Sequence, residues 1–562
     1  MQLGFSFSVL LASLLVALSV SDTVNAAPTK RSPTPGMVTL PLKRLHRARD
    51  DIHPLILLQQ HVNRGLRRVA RMTGRAEPSD LELRENLNKR MYLLPNGPFS
   101  RKQSAVGPLN SSKKLKRFNR IGFGGAIAGA LDPAANSNAV SFVKKGGKGG
   151  KGAKGKGALA GAAGAGAGAA AAGVVGGQGG ADANGVNATG TAAAGAAQGS
   201  PLAGIDPVDV AAQNSNTVTP ASKPTGQNSL GLDIEKNDVG YLATIQIGTP
   251  PRDFKILMDS GSADFWVGSE TCVSENGGGC GNHTFLGPQS SSTFVDTKAP
   301  FTVTYGSGNV AGTIITDNVA IAGLPLDKHT FGTANQESVD FSSDNVPFDG
   351  LMGLAQSGLS QQKVQTPVES LASQGAISDA ITSFKLGRLA DGNNDGEVTF
   401  GGIDSTKIQG NTLVTFNNVN TQGFWEGAMD AVTVGGQDLG LSGRTAILDT
   451  GTTLIIAPAA DAAAVHAAIP GSASDGQGGF TIPCTTSTQV ALSFGGQSFA
   501  IDPRDMVFAP VDPNNLAGDC VSGISSGQIG GAQEWLVGDV FLKNAYLSTD
   551  VGKNQISLAK LA

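Results

Sequence analysis

Two aspartates occupy nearly identical sequence settings. Asp259 follows the apolar run Ile256-Leu257-Met258 and opens Asp-Ser-Gly-Ser, while Asp449 follows Ala446-Ile447-Leu448 and opens Asp-Thr-Gly-Thr. Each setting predicts a carboxylate at the end of a buried strand, in a tight turn of small hydroxylated residues. A single Asp-Ser-Gly is usually a surface turn, but two copies indicate a duplicated fold that pairs the carboxylates. Such a pair can share one proton and act as acid and base.

The repeat extends beyond the two aspartate turns. Gly350-Leu351-Met352-Gly353 follows the first turn and Trp535-Leu536-Val537-Gly538 follows the second, so each turn is followed by two apolar residues and a glycine. A repeat this long is far above the period of solenoid proteins. It therefore predicts two related lobes.

The elements that position these turns are predicted to be strands. From about residue 231 onward, Val, Ile, Thr and Phe alternate in short runs between Gly, Asn and Asp turns, as in residues 242–247. This spacing predicts an all-β body, divided into an N-terminal lobe (231–415) and a C-terminal lobe (416–562). A few short helices are expected, one of them after the capping box Thr366-Pro367-Val368-Glu369.

With these motifs the chain resembles the bilobal, pepsin-like aspartic endopeptidases. The resemblance runs from about residue 237 to the C-terminus and includes both aspartate turns, the paired apolar-Gly elements and Tyr305-Gly306-Ser307-Gly308. It implies the bilobal acid-protease fold and hydrolysis of peptide bonds at acidic pH. Asp259 and Asp449 would activate a water between them, without a metal or other cofactor.

The resemblance also implies supporting roles beside the carboxylates for six turn residues: Ser260, Gly261, Ser262, Thr450, Gly451 and Thr452. The hydroxyls of Ser262 and Thr452 would hydrogen-bond the carboxylates. The glycine amides could approach closely, because glycine has no Cβ. Ser260 stands where the family usually has Thr, so a hydroxyl remains but a packing methyl is lost.

By the same resemblance, Tyr305, Gly306 and Ser307 form the tip of a mobile hairpin, the flap, which closes over substrate. The Tyr305 hydroxyl is expected near the indole of Trp266. A lone Tyr-Gly is more often an ordinary turn, but its position after the first aspartate motif favours the flap. Some members with an acidic residue after Tyr-Gly accept basic side chains. Ser307 at that place implies a preference for bulky apolar residues flanking the scissile bond.

The four cysteines form two close pairs, one in each half, which predicts the disulfides Cys272–Cys280 and Cys484–Cys520. Sequence alone allows three connectivities, and four free thiols are the alternative. Oxidising conditions outside the cytosol favour the bonds. Asn282, close to the first pair in Asn-His-Thr, is a candidate glycosylation site if it is exposed.

The N-terminus predicts secretion. An apolar run at residues 9–18 is short for a membrane span and precedes the small-residue pattern Val24-Asn25-Ala26, which indicates a signal peptide over residues 1–26. A signal anchor is the alternative, because the segment lacks a basic start. No later segment resembles a transmembrane helix, so no membrane anchor is expected. The expected destination is extracellular, with the vacuole as the alternative.

Charge is distributed unequally along the chain, although the formal net charge is −3. Residues 27–160 contain 27 Lys and Arg against seven Asp and Glu, whereas residues 231–562 contain 14 against 34. A basic pro-segment over residues 27–120 could therefore lie on the acidic enzyme as an intramolecular inhibitor. It includes an amphipathic helix, predicted over residues 54–72, with Arg opposite its apolar face. Nucleic-acid binding is the less favoured alternative.

Residues 121–230 are predicted to be a low-complexity linker of Gly, Ala and Lys. They contain a formal G-x-G-x-x-G at residues 147–152, but no strand precedes it, so a phosphate site is not expected. The tract cannot bury enough apolar area to order itself and is expected to be disordered. The mature N-terminus is expected between Ala221 and Asp238.

These features together predict a secreted zymogen of an aspartic endopeptidase that acts on polypeptides. The alternative is a catalytically inactive protein of the same fold that binds proteins or glycans or acts as an inhibitor. Loss of either aspartate or of Tyr305 would favour that alternative, and all three residues are present.

Overall fold

The structure is a computed structural model that describes residues 53–72, 75–79, 82–83, 85–87, 204–213, 215–306, 308–527, 529 and 531–562. The predicted signal peptide, Ser307 and much of the predicted leader and linker lie outside these residues. Within the described part of the chain, every helix is too short or too polar to cross a membrane.

Strands dominate the described chain, and the helices are few. The α-helices are α1 (Pro54–Met72), α2 (Pro207–Gln213), α3 (Pro367–Ser373), α4 (Ala459–Ala467), α5 (Pro503–Met506) and α6 (Asp539–Leu542). Short 3₁₀ helices span Ser357–Leu359, Leu389–Asp391 and Ser405–Lys407. The helix predicted after the capping box is α3, in which the Glu369 carboxylate accepts a hydrogen bond from the Thr366 amide at 3.0 Å.

The strands fall into two sets along the chain. The first set is β1 (Val218–Thr219), β2 (Ser229–Gly231), β3 (Asp233–Glu235), β4 (Gly240–Ile247), β5 (Arg252–Asp259), β6 (Phe265–Ser274), β7 (Val295–Thr304), β8 (Asn309–Ile321), β9 (Leu324–Glu337), β10 (Gly350–Gly353), β11 (Ile381–Lys385) and β12 (Glu397–Phe400). The second set is β13 (Val414–Asn417), β14 (Glu426–Met429), β15 (Ala431–Val434), β16 (Gln437–Asp438), β17 (Arg444–Leu448), β18 (Ile455–Ala457), β19 (Ala473–Ser474), β20 (Phe480–Pro483), β21 (Val490–Phe494), β22 (Gln497–Ile501), β23 (Val507–Pro510), β24 (Asp519–Ser522), β25 (Ile524–Ser526), β26 (Glu534–Val537), β27 (Tyr546–Asp550) and β28 (Gln555–Ala559).

Each half of the chain builds its own sheets. The first half forms a nine-stranded sheet in the order β1-β3-β4-β5-β10-β6-β9-β8-β7. The second half forms a five-stranded sheet, β14-β17-β26-β18-β25, and two four-stranded sheets, β16-β15-β21-β22 and β19-β20-β24-β23. The predicted all-β, bilobal class with a few short helices is confirmed.

The sequence repeat corresponds to a structural repeat around the two aspartates. β5 pairs in parallel with β10, which carries the first apolar-Gly element, and Gly353 lies opposite Asp259. β17 pairs in parallel with β26, which carries the second element, and Val537 lies opposite Leu448, the residue before Asp449. Each aspartate turn is therefore supported from the side by the later motif of its own half.

A sheet also joins the two halves. Its six strands have the order β13-β28-β27-β11-β12-β2, with β2, β11 and β12 from the first half and the others from the second. The boundary predicted between residues 415 and 416 falls inside β13, which pairs with β28. A boundary at that point would divide one strand. The two lobes share the sheet to which this strand belongs, so the chain has no sharp boundary there.

The linker prediction is wrong for residues 204–230. This range contains α2, β1 and β2, and β1 pairs with β3 while β2 pairs with β12. The Lys/Gly and Ala/Gly repeats end near residue 200. Beyond them, apolar side chains such as Ile205 and Leu230 pack against the core, so this part of the chain can order itself.

The amphipathic helix predicted over residues 54–72 is confirmed as α1. Leu58 and Val62, on its apolar face, are buried in the main hydrophobic core. Gly65 lets the helix approach the second half closely, since a Cβ added there would lie 2.3 Å from Ile456 Cδ1. The helix of the predicted pro-segment is therefore packed into the body of the protein.

The structure contains the disulfides Cys272–Cys280 and Cys484–Cys520, the two close pairs named from the sequence. The first bond joins Cys272, near the end of β6, to the loop that follows this strand, and the second links the residue after β20 to β24. Asn282 is exposed two residues after the first bond, and its glycosylation stays a prediction.

The two aspartate turns are tied together by four buried hydrogen bonds. The Ser260 hydroxyl donates to the Leu448 carbonyl at 3.0 Å and accepts from the Thr450 amide at 3.0 Å. The Thr450 hydroxyl donates to the Met258 carbonyl at 2.9 Å and accepts from the Ser260 amide at 2.9 Å. These crossed hydrogen bonds fix one turn against the other. Ser260 makes its hydrogen bonds with its hydroxyl and amide, so the methyl group of Thr is not needed for them.

We expect Ser260→Ala to destabilise the junction between the lobes. The change leaves the Thr450 amide and the Leu448 carbonyl buried without these partners, and each such loss costs roughly 1–3 kcal/mol. Differential scanning calorimetry should show a lower unfolding temperature. Ser260→Thr, which retains the hydroxyl, is the matched control and should unfold close to the unsubstituted protein. An unchanged unfolding temperature in Ser260→Ala would contradict the structural role of these bonds.

Candidate active site

The two aspartates meet at the junction of the lobes. Asp259 is the last residue of β5, Asp449 directly follows β17, and their exposed fractions are 0% and 1%. A Cβ at Gly261 would lie 2.3 Å from the Asp449 carboxyl carbon, and one at Gly451 would lie 2.5 Å from Asp259 Oδ1. Each turn thus closes over the carboxylate of the other, which only glycine permits at this distance.

The carboxylates receive matching hydrogen bonds from their own turns. The Gly261 amide donates to Asp259 Oδ1 at 2.9 Å, and the Ser262 hydroxyl donates to Oδ2 at 2.5 Å. The amide two residues after Asp449 and the hydroxyl three residues after it donate in the same way, at 2.9 and 2.6 Å. The Oδ1 atoms are therefore held in equivalent orientations on the two sides of the site.

A guanidinium from α1 lies between the carboxylates. Arg68 Nη2 contacts Asp259 Oδ1 and lies 3.1 Å from Asp449 Oδ1, while Nη1 donates to the Gly451 carbonyl at 3.1 Å. Because one nitrogen reaches both Oδ1 atoms, the two carboxylates are close enough to act on one small group. The Arg68 guanidinium occupies the position between the two Oδ1 atoms where a small group shared by both carboxylates would bind.

Burial governs the charges in this cluster. Burial disfavours the Arg68 cation, but attraction to both carboxylates outweighs it and holds the pKa of Arg68 above its ordinary value. Burial raises the pKa of Asp449 to about 6; Arg68 opposes this rise and the neighbouring Asp259 adds to it. Two adjacent carboxyls with little access to water share protons rather than titrating separately.

No pattern in the sequence identified Arg68 as part of the site. The helical periodicity placed arginines opposite the apolar face of the helix without assigning them a contact, whereas Arg64 and Arg68 line the cleft. α1 is thus buried on two faces. The one sequence signal for this was Gly65, since a glycine inside an amphipathic helix can mark a close packing contact.

The predicted flap lies over α1. β7 and β8 form its hairpin, with Thr304 opposite Asn309, and Tyr305 is buried at the turn. The Trp266 indole N–H donates to the Tyr305 hydroxyl at 2.8 Å, the contact expected from the sequence. A Cβ at Gly306 would lie 1.7 Å from the Arg64 carbonyl oxygen, so the tip rests on the helix backbone.

Apolar side chains of the first half form one wall of the cleft beside the carboxylates. They include Leu257, Phe341, Phe348 and Leu351. The Phe341 ring makes edge contacts with the rings of Tyr305 and Trp266, at 5.7 and 5.4 Å between centroids. The flap tyrosine and this wall therefore form one apolar surface next to the carboxylate pair.

Comparison with known proteins agrees with this geometry. The chain is similar to "Probable aspartic-type endopeptidase CTSD" of Trichophyton verrucosum, with 38% identity over 340 residues, which are 60% of this chain and 64% of the relative. It is also similar to rhizopuspepsin of Rhizopus chinensis, with 36% identity across 62% of this chain and 85% of the relative. The chain thus spans less than two thirds of the length of the Trichophyton protein.

A similar match is found to the aspartic-type endopeptidase ctsD of Aspergillus fumigatus, with 33% identity across 62% of this chain and 71% of the relative. The family model described as eukaryotic aspartyl protease matches residues 240–561. That range contains both aspartate turns, the flap and the two apolar-Gly strands. The match covers more than half of the chain, which therefore belongs to the eukaryotic aspartyl protease family.

Proposed function

We propose that the protein is an aspartic endopeptidase, made as an inhibited precursor, that hydrolyses peptide bonds of polypeptides in acid. The observation that carries the proposal is the pair Asp259 and Asp449, buried together with matching hydrogen bonds from both turns. A non-catalytic binding protein would have no need of this matched arrangement around two buried carboxyls.

The carboxyl pair supplies both an acid and a base. With one proton shared between Asp259 and Asp449, the ionised carboxylate takes a proton from a water molecule, whose oxygen attacks the peptide carbonyl carbon. The protonated carboxyl gives its proton to the carbonyl oxygen. When the tetrahedral intermediate collapses, the C–N bond breaks and the leaving nitrogen is protonated by the carboxyl that accepted the proton of water. The other carboxylate takes back a proton from a hydroxyl of the intermediate, whose oxygen becomes the carbonyl of the new carboxylic acid. Neither role belongs to one aspartate, because the pair titrates together.

Helix α1 supports the proposal of an inhibited precursor. Its Arg68 occupies the space between the carboxylates, and its backbone lies beneath the flap. A peptide substrate cannot reach the pair while the helix is in place. The predicted pro-segment would therefore inhibit through a direct contact with the catalytic groups.

The contact gives the precursor a definite pH response. The Arg68 cation favours the ionised form of Asp449, so the contact between Arg68 and the carboxyl pair is strongest when Asp449 is ionised, although burial raises the pKa of Asp449 overall. A group whose pKa is lowered by an interaction stabilises that interaction at higher pH. The stabilisation is lost as the pH falls through the bound-state pKa, which is about 6 for Asp449. Acid should therefore release the helix.

Two further parts of the proposal concern substrate and destination. The apolar wall formed by Leu257, Phe341 and Leu351 beside Tyr305 supports a preference for bulky apolar residues at the scissile bond.

The two disulfides support a destination outside the cytosol, extracellular or vacuolar, because such bonds persist in oxidising compartments.

We expect Asp259→Asn and Asp449→Asn each to reduce kcat on denatured globin in acid by about 10²–10⁴-fold, the usual contribution of acid–base catalysis. Asp253→Asn is a matched control, because Asp253 is exposed on the same strand as Asp259. It should leave kcat unchanged. Unfolding temperatures establish that all three variants are folded. Full activity in either active-site variant would sink the proposed mechanism.

We expect Arg68→Gln to make the precursor active at higher pH than the unsubstituted chain. The variant loses the cation that favours the ionised pair, so helix release no longer requires the pH to fall through about 6. The measurement is the pH midpoint at which the full-length protein begins to cleave a short quenched-fluorescence peptide.

Arg75→Gln is the matched control for this experiment. Arg75 belongs to the same segment and pairs with Glu534 at 3.0 Å, but its side chain is 42% exposed and lies away from the carboxylate pair. The control removes the same charge and should shift the midpoint only slightly. Equal midpoints in both variants would show that overall charge, and not the Arg68 contact, controls activation.

A further inference from the structure

A second segment of the predicted leader lies against the cleft. Residues 204–217, called the strap here, are described except for residue 214. The strap is fixed to the second half of the chain at two points. The Ile205 amide donates to the Cys484 carbonyl at 2.9 Å, and Gln213 Nε2 donates to the Phe508 carbonyl at 2.6 Å. The strap thus begins on the C-terminal lobe.

The strap then reaches the first half. Asn216 Nδ2 donates to Asn345 Oδ1 at 2.7 Å, and the Thr217 carbonyl accepts from the Lys236 amide at 2.9 Å. Asn345, Lys236 and Gln213 all line the cleft that contains α1. The strap therefore crosses from one lobe to the other at the edge of the substrate cleft.

Helix α1 contacts both the strap and the carboxylates, so the number of helix residues between these contacts gives the distance from the strap to the carboxylates. Gln213 lines the cleft together with His61, and the His61 ring contacts the Phe508 ring at 5.4 Å between centroids. Seven residues separate His61 from Arg68, so the strap lies about 10 Å along the helix axis from the aspartate pair. An extended peptide advances about 3.3 Å per residue and would place about three residues in that length.

We propose that the strap is a second closure of the cleft, separate from α1, and that it limits substrates to about three residues beyond the scissile bond on its side. The inference rests on the proposed function, since it concerns access to the same carboxylates. Short peptides would be cleaved while the strap is in place. Long polypeptides would require its removal, for example by a cut in the exposed stretch after β1.

A carboxyl of the strap itself, that of the half-buried Asp209, separates its behaviour from that of α1. Asp209 Oδ1, on α2, is buried without a hydrogen-bond partner. The charged groups around it and on the turn packed against α2 are Asp206, Asp238, Arg388, Asp391, Asp505 and Lys543. Burial, followed by repulsion from Asp238, raises the pKa of Asp209 to about 7, although Lys543 opposes the rise.

This pKa gives the strap a pH response opposite to that of α1. A carboxyl whose pKa rises on docking takes up a proton, so docking is strongest below the ordinary pKa of aspartate and weakens as the pH rises through about 7. Acid therefore releases α1 while it holds the strap in place. The two closures respond to different events.

The test compares two full-length variants. One carries a specific protease site inserted between residues 95 and 200, and the other carries the same site and a second one between Lys223 and Pro224. Each is cut at neutral pH, washed above pH 7 to free any detached strap, and then acidified. Mass spectrometry establishes that the singly cut protein retains residues 204–217 and that the doubly cut protein has lost them.

Both proteins are assayed on peptides that share one scissile bond and extend from two to six residues on either side. For the singly cut protein, kcat/KM should fall about tenfold or more, equivalent to 1.4 kcal/mol, once one side exceeds about three residues. The doubly cut protein should show no such fall. Equal length dependence in the two proteins would overturn the strap proposal, whereas failure of both to cleave the shortest peptides would overturn the proposed protease function.

A second measurement examines the Asp209 carboxyl. Asp209→Asn keeps the size of the side chain and removes its titration. In the singly cut protein, hydrogen exchange of the strap should increase as the pH rises past about 7, the pKa of Asp209, and the variant should remain protected. The comparison uses the ratio of variant to unsubstituted protein at each pH, since intrinsic exchange also depends on pH. A constant ratio would overturn the role of Asp209.

Discussion

The structure depends on holding two buried carboxyls close together. Asp259 and Asp449 are buried at the junction of the lobes, and two negative charges repel strongly in such an environment. The pair therefore exists with a shared proton or with a cation beside it. The crossed hydrogen bonds of Ser260 and Thr450 hold the turns together against this repulsion. In the structure, Arg68 supplies the cation.

The carboxylate pair could be predicted from sequence because its signals are local. Each aspartate stands at the end of its own apolar run, and the glycines and hydroxyls that support it lie within three residues. The contact of Arg68 with Asp259 gives no such signal, because 191 residues separate the two. The order of the strap was also not predicted, because the strap follows a low-complexity tract. A few apolar residues, such as Ile205, are enough to order a short segment against an existing surface.

The charge asymmetry of the chain suggested attraction between a basic leader and an acidic enzyme, but the structure favours a more local cause. Exposed charges farther apart than about 8 Å are largely screened at physiological salt. Arg68 is only 8% exposed and contacts both carboxylates, so salt screens it far less. The broad asymmetry can guide the leader toward the enzyme. In the proposed precursor, the buried contact would determine when the helix leaves.

The two proposed closures, with opposite proton linkage, would make activation a sequence of separate events. The Arg68 contact of α1 requires ionised carboxylates and would be weakened by acid, whereas docking of the strap favours the protonated form of Asp209 and would be strengthened by acid. One drop in pH therefore cannot remove both, and the strap needs a cut in the chain. A freshly acidified precursor would have working carboxylates in a cleft that is still closed at one end. Its first substrates would be short peptides or exposed chain ends, and whole polypeptides would follow only after the strap was removed.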